Sequence, residues 1–172
     1  YEIRDILDIA ASLENGSEHP LGEAIVEYSK DRKIKSKGVK NFKALSGFGV
    51  QGHIGNIKYL LGNQKLIEKY GIKINDDTAK EIHMLESQGK TVVLLSDTKN
   101  LIGITAIADT VKASSKNEIK KLHNNKKAVW MVTGDNIRTA QAIAQELGIK
   151  KENIYASVLP DEKAEKVKEI QT

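Results

Sequence analysis

Gly47-Phe48-Gly49-Val50-Gln51-Gly52-His53-Ile54-Gly55-Asn56-Ile57-Lys58-Tyr59-Leu60-Leu61 is the stretch that decides the fold. Its glycines fit G-x-G-x-x-G, a pattern that in a dinucleotide-binding fold must follow a strand and open a helix. Val50, His53-Ile54 and Ile57 carry a strand pattern instead, so the segment is predicted as two strands, 49–54 and 57–61, turned at Gly55-Asn56. Two readings of Gly47, Gly49 and Gly52 stay open. They strip side chains so that a flat ligand can lie against the backbone, or they mark a bulged hairpin without a ligand.

Outward from this hairpin the period changes. Ile3, Ile6, Leu7, Ala10 and Leu13 recur at helical spacing and predict an amphipathic helix over 2–13 that ends at Gly16. Pro20 stands at a first helical position, with Leu21, Ala24, Ile25 and Tyr28 on one face. The lysine-rich run 30–40 is read as a solvated connection, followed by a strand over 39–45. Asn63 is a cap for a helix over 64–70. A helix over 77–87 stops at Gly89. Strands 91–96 and 101–108 then turn at 97–100.

From residue 109 the rhythm is helix 114–124, strand 128–133, helix 137–147, strand 154–156 and helix 161–170, which argues for parallel α/β units. The predicted architecture is an α+β antiparallel-sheet domain over 1–108, then a partial, Rossmann-like α/β domain over 109–172.

Composition excludes several function classes. The 172 residues carry a net charge of +4, yet only 5% are aromatic, too few for base-stacking platforms, so no nucleic-acid partner is expected. The absence of cysteine removes disulfides, thiolate metal sites and cysteine nucleophiles. His19, His53, His83 and His123 are scattered without metal-ligand spacing, so no metal site is expected. No stretch approaches about 18 consecutive apolar residues, so this segment is not expected to enter a membrane.

The candidate chemistry lies in short motifs. Gly89-Lys90-Thr91 is not a phosphate loop, because Met84 stands where a glycine is needed and Thr91 opens a strand. His19, before Pro20, could stack on a purine or donate to a phosphate at a helix N-terminus, or simply cap the helix. Glu14 could accept from an exocyclic amine across the loop. Gly62-Asn63 can be a capped turn. Thr133-Gly134-Asp135 follows the apolar run 128–132, at the carboxyl end of a strand where open α/β sheets bind ligands. Lys163, three residues after Pro160, could add a positive charge there.

In this order the motifs resemble the ATP-binding region of heavy-metal-transporting P-type ATPases, most similar to the copper type, over essentially the whole chain. Glu14, Ser17-Glu18-His19-Pro20-Leu21, Gly47, Gly49, Gly52 and Gly62-Asn63 match that family's nucleotide-domain signature. Ile107-Ala108-Asp109 resembles its return strand. Met131-Val132-Thr133-Gly134-Asp135-Asn136 and Leu159-Pro160-Asp161-Glu162-Lys163 match phosphate-handling motifs shared with haloacid-dehalogenase-like enzymes.

The resemblance implies that Glu14 and His19 hold adenine over a floor of Gly47, Gly49 and Val50, with Gly52 also among the binding residues and Gly62 and Asn63 at the rim. It implies that Thr133, Asp135 and Lys163 serve the phosphoryl group. The phosphorylated aspartate's Asp-Lys-Thr-Gly loop and the Gly-Asp-Gly loop that binds Mg2+ are expected outside this chain. So are the actuator and transmembrane domains. The implied cofactors are ATP and Mg2+, the implied ligands ATP and ADP, and the implied place is the cytoplasmic face of a membrane. The segment alone is expected to be inactive. A zinc/cadmium-type pump and a free-standing haloacid-dehalogenase-like phosphatase are the alternatives.

Overall fold

The computed structural model describes every residue except Glu18, Asp109, Thr110 and Thr172. Glu18 and Asp109, which carry part of the resemblance, thus lie outside the described residues. The chain forms two compact units, Tyr1–Ala79 with Val92–Ile107 and Lys80–Thr91 with Ala108–Thr172. A division at 108 places residues 80–91 in the first domain, whereas here that segment belongs to the second unit. Its hydrogen bonds explain why: Arg138 donates to Glu86, and the Thr139 hydroxyl donates to the Lys90 carbonyl.

The strands β1 (Lys40–Leu45), β2 (Gly49–Ile54), β3 (Ile57–Gly62), β4 (Lys90–Ser96) and β5 (Leu101–Ala108) form one sheet in chain order. β2 and β3 pair with Ile54 opposite Ile57, so Gly55 and Asn56 alone make the turn. Gly55 has φ of 60°, the left-handed conformation that such a turn demands.

Paired residues share a face, and the register aligns Ala44, Val50, Leu61 and Leu95 across four strands. Against that face α1 (Ile3–Glu14) lays Ile9, Ala10 and Leu13, and α2 (Pro20–Asp31) adds Ile25. Each such aliphatic side chain, removed from water, contributes about 2 kcal/mol before the cost of ordering it. The opposite face carries Leu60 and Leu94, both fully buried, and there α3 (Gln64–Lys69) brings in Leu66 and Ile67.

The predicted buried face of α2 needs one correction. Gly22, Ile25 and Ser29 are its buried residues, whereas Tyr28 is 48% exposed and lies under the Arg32 guanidinium, 3.5 Å from the ring centre. An exposed aromatic carrying a cation serves the loop after the helix and not the core.

α4 (Asp76–Ser87) is followed by Gly89 at φ of 77°, which turns the chain into β4. The second unit continues with α5 (Ala113–Asn124), β6 (Met131–Val132), α6 (Ile137–Leu147), β7 (Ile154–Tyr155) and α7 (Lys163–Gln171). β6 and β7 pair in parallel, as the alternating pattern required. The strand expected over 128–133 shrinks to two residues because its partner β7 offers only two. Val129 stays anchored nonetheless, its carbonyl accepting from Asn153 at 3.0 Å. Among the described residues no helix is long and apolar enough to cross a membrane.

Candidate functional site

Local chemistry places the first group of candidates. His19 is the N-cap of α2, its Nδ1 accepting from the Leu21 amide at 3.2 Å with Pro20 next in the chain. A ring nitrogen that accepts leaves the neutral imidazole's proton on Nε2, so the exposed edge of His19 is a donor. Ser17 supports the loop by accepting from the His19 amide at 3.3 Å.

Glu14, the last residue of α1, is only 8% exposed, and its Oε2 has no hydrogen-bond partner. Burial pushes its carboxyl above the ordinary range; the Ser17 hydroxyl and the nearby His19 oppose this. The carboxylate lies against Gly22 in the first turn of α2. Glu14, Ser17, His19 and Gly22 therefore form one cluster where α1 meets α2.

The glycines of the sheet are closely packed by their own fold. A Cβ on Gly49 would strike the Leu61 carbonyl and stand 2.5 Å from the Gly62 Cα, and its φ of 138° suits glycine only. A Cβ on Gly62 would strike the Phe48 carbonyl, and one on Gly52 would stand 2.5 Å from Val39 Cγ1. These three lack side chains because neighbouring strands and loops fill the space. Gly47, with φ of 75°, makes a turn.

Val50 is buried in the core. Asn63 caps α3 by accepting from the Leu66 amide at 3.1 Å and ties the glycine turn down by donating to the Gly47 carbonyl at 2.8 Å. Leu13, beside Gly52 at 3.1 Å from its ideal Cβ, links this sheet region to the Glu14 cluster.

In the second unit the Thr133-Gly134-Asp135 segment is held rigidly. The Thr133 amide donates to the Tyr155 carbonyl at 2.9 Å, and Ser157 donates to the Asp135 carbonyl at 2.7 Å. The Thr133 hydroxyl donates to Asp135 Oδ2 at 2.8 Å, and the Thr91 hydroxyl donates to Oδ1 at 3.1 Å. Both carboxylate oxygens are thus oriented by hydroxyls.

Gly134 differs from the glycines of the sheet. A Cβ there would meet only the Val158 carbonyl, at an ordinary 3.6 Å. Internal packing does not require this glycine, and its backbone stands open to an approaching group. Asn136 caps α6, accepting from Arg138 and Thr139 amides at 3.0 and 3.1 Å. Lys163 is the exposed first residue of α7, and no hydrogen bond joins it to Thr133 or Asp135 among the described residues.

Three contributors went unrecognised in the motifs. Thr91 orients Asp135 from 44 residues away, and Glu86 receives Arg138 from 52 residues away. Neither has a local signal. Gly22 does carry a local signal, a glycine at the third position of a helix, where a capping carboxylate is usual.

Residues 2–172 match the hydrolase family described as haloacid dehalogenase-like hydrolase. A copper-exporting P-type ATPase from Staphylococcus epidermidis is 41% identical over 167 residues, covering 97% of this chain and 21% of the relative. A probable copper-importing P-type ATPase from Enterococcus hirae is 38% identical over 168 residues, covering 98% of this chain and 23% of the relative. A zinc-transporting PIB-type ATPase, solved in an E2.Pi state, superposes with a TM-score of 0.62 at 30% identity, over 99% of this chain and 27% of its own. The chain spans about a fifth of the length of the curated relatives it matches. With the antiparallel unit and the parallel unit in place, this chain belongs to the haloacid dehalogenase-like hydrolase family.

Proposed function

We propose that this chain is the nucleotide-handling segment of a copper-translocating P-type ATPase on the cytoplasmic face of a membrane. It binds the adenine of ATP or ADP in its first unit and serves, in its second, the phosphoryl group destined for an aspartate outside the chain. The observation that carries this reading is the Glu14 carboxylate, buried at the α1–α2 junction with one oxygen unpartnered. An unmet buried acceptor costs about 1–3 kcal/mol, and a ligand amine that reaches the carboxylate recovers part of that cost.

His19 complements it. With Nδ1 committed to Leu21, the imidazole offers a ring face and an Nε2 donor, which suit a purine or a phosphate. In the second unit the open backbone at Gly134 and the hydroxyl of Thr133 suit phosphate oxygens. Asp135, held by two hydroxyls, suits an orienting role and not attack. Magnesium accompanies the nucleotide. Its protein ligands are assigned to the rest of the pump, with the actuator and transmembrane domains.

Calorimetric titration tests the reading. ATP should bind saturably, and His19→Ala should weaken it by about 1–2 kcal/mol, the scale of one lost stack or hydrogen bond. A mixed oligonucleotide in rising salt should not compete. An ATP titration without saturable heat would overturn the assignment.

A further inference from the structure

We propose that Gly22 is a positioning residue for Glu14: its missing side chain makes the space in which the Glu14 carboxylate lies, and so sets where the base-recognising oxygen stands. This rests on the reading that Glu14 meets the nucleobase.

Gly22 sits in the first turn of α2, two residues after Pro20, and is itself buried. Its φ is not among the left-handed values that favour glycine, so the backbone alone does not call for it. Glycine in a helix costs about 0.5–1 kcal/mol relative to alanine. That cost has one visible counterpart. A Cβ on Gly22 would collide with Glu14 Oε2, and would lie 2.9 Å from Glu14 Cδ and 3.3 Å from Glu14 Cβ. All three nearest atoms belong to one side chain.

The third position of a helix commonly carries the Glu or Gln that reaches back to the N-terminal amides. Here that position is glycine, and the carboxylate at the start of α2 comes from the end of α1. The positive end of the helix dipole favours an anion there. Glu14 cannot retreat by moving its helix, because Leu13 and Ala11 beside it are buried in the core. A methyl group at position 22 must therefore push the carboxylate out of its place and not the helix.

Two measurements on the 172-residue chain test this. The first follows the Glu14 carboxyl by carbon NMR through a pH titration and needs no nucleotide. Gly22→Ala should move its midpoint down toward the ordinary carboxylate value, as the group is driven toward water. An unchanged midpoint overturns the proposal.

The second is ATP titration of the parent, Gly22→Ala, Glu14→Ala and the double variant. Gly22→Ala should weaken ATP at least tenfold in the parent and less than twofold once Glu14 is alanine. Equal losses in both backgrounds overturn the proposal. If the parent itself does not bind ATP, the nucleotide reading fails, and the carboxyl titration still decides the role of Gly22. If Gly22→Ala does not fold, Glu14→Ala should restore folding by removing the colliding side chain. Failure of that rescue counts against the proposal.

Discussion

Glu14 keeps one carboxylate oxygen without a partner inside the fold, and burial holds its pKa above the ordinary carboxylate value. The unfolded chain titrates at the ordinary value, so between the two the folded state holds more protons. Stability contributed by this residue therefore falls as pH rises through that window and stays lower above it. We expect Glu14→Gln to flatten this part of the profile in urea unfolding between about pH 4 and pH 8. A stability gap between parent and variant that stays constant with pH would remove Glu14 as its cause. Gly49 belongs to the same scale. Because its φ of 138° and the nearby Leu61 carbonyl leave no room for a side chain, Gly49→Ala should cost about 3 kcal/mol of stability. The loss should be visible by circular dichroism without any nucleotide present.

Caps and clasps decide behaviour at the scale of elements. Asn63 performs two tasks, starting α3 through the Leu66 amide and holding the turn before β2 through the Gly47 carbonyl. Asn63→Ala should cost about 2 kcal/mol, the upper end for a cap because a second bond is lost with it. Asn63→Asp keeps the acceptor and loses the donor, so its midpoint in urea should fall between the other two. Equal losses in Asp and Ala variants would show that the bond to Gly47 dominates. In the second unit, α4 is fastened to α6 by Arg138 Nε and Glu86 Oε2 at 2.6 Å, with the Glu86 side chain 7% exposed and Arg138 41% exposed. Arg138→Ala leaves a buried carboxylate unpaired and should cost about 2–3 kcal/mol. Adding Glu86→Ala to it should recover part of that loss, a coupling that a thermodynamic cycle reads directly.

For the whole molecule, the proposed chemistry predicts an incomplete reaction. Phosphoryl transfer needs an in-line nucleophile and a metal to neutralise developing charge, and Asp135 has both oxygens engaged by Thr133 and Thr91. Incubation with γ-labelled ATP and magnesium, quenched in acid, should leave no label on the chain. Label at Asp135 would overturn its orienting role. What the sequence by itself determined is the set of features written in neighbouring residues. The hairpin around Gly55-Asn56 follows from a period of two and a two-residue turn, and the caps at His19 and Asn63 follow from short polar side chains reaching amides two or three residues on. The parallel pairing of β6 with β7 followed from alternating patterns, but its length did not, because a strand extends only as far as its partner. Only the tertiary structure decided why Gly49, Gly52 and Gly62 lack side chains, since the atoms they avoid lie on other strands and loops. It alone turned Tyr28 outward, joined Arg138 to Glu86 and Thr91 to Asp135, and set Glu14 on Gly22. Periodicity and capping are short-range consequences of backbone geometry, whereas steric exclusion and burial depend on which distant segments the fold brings into contact.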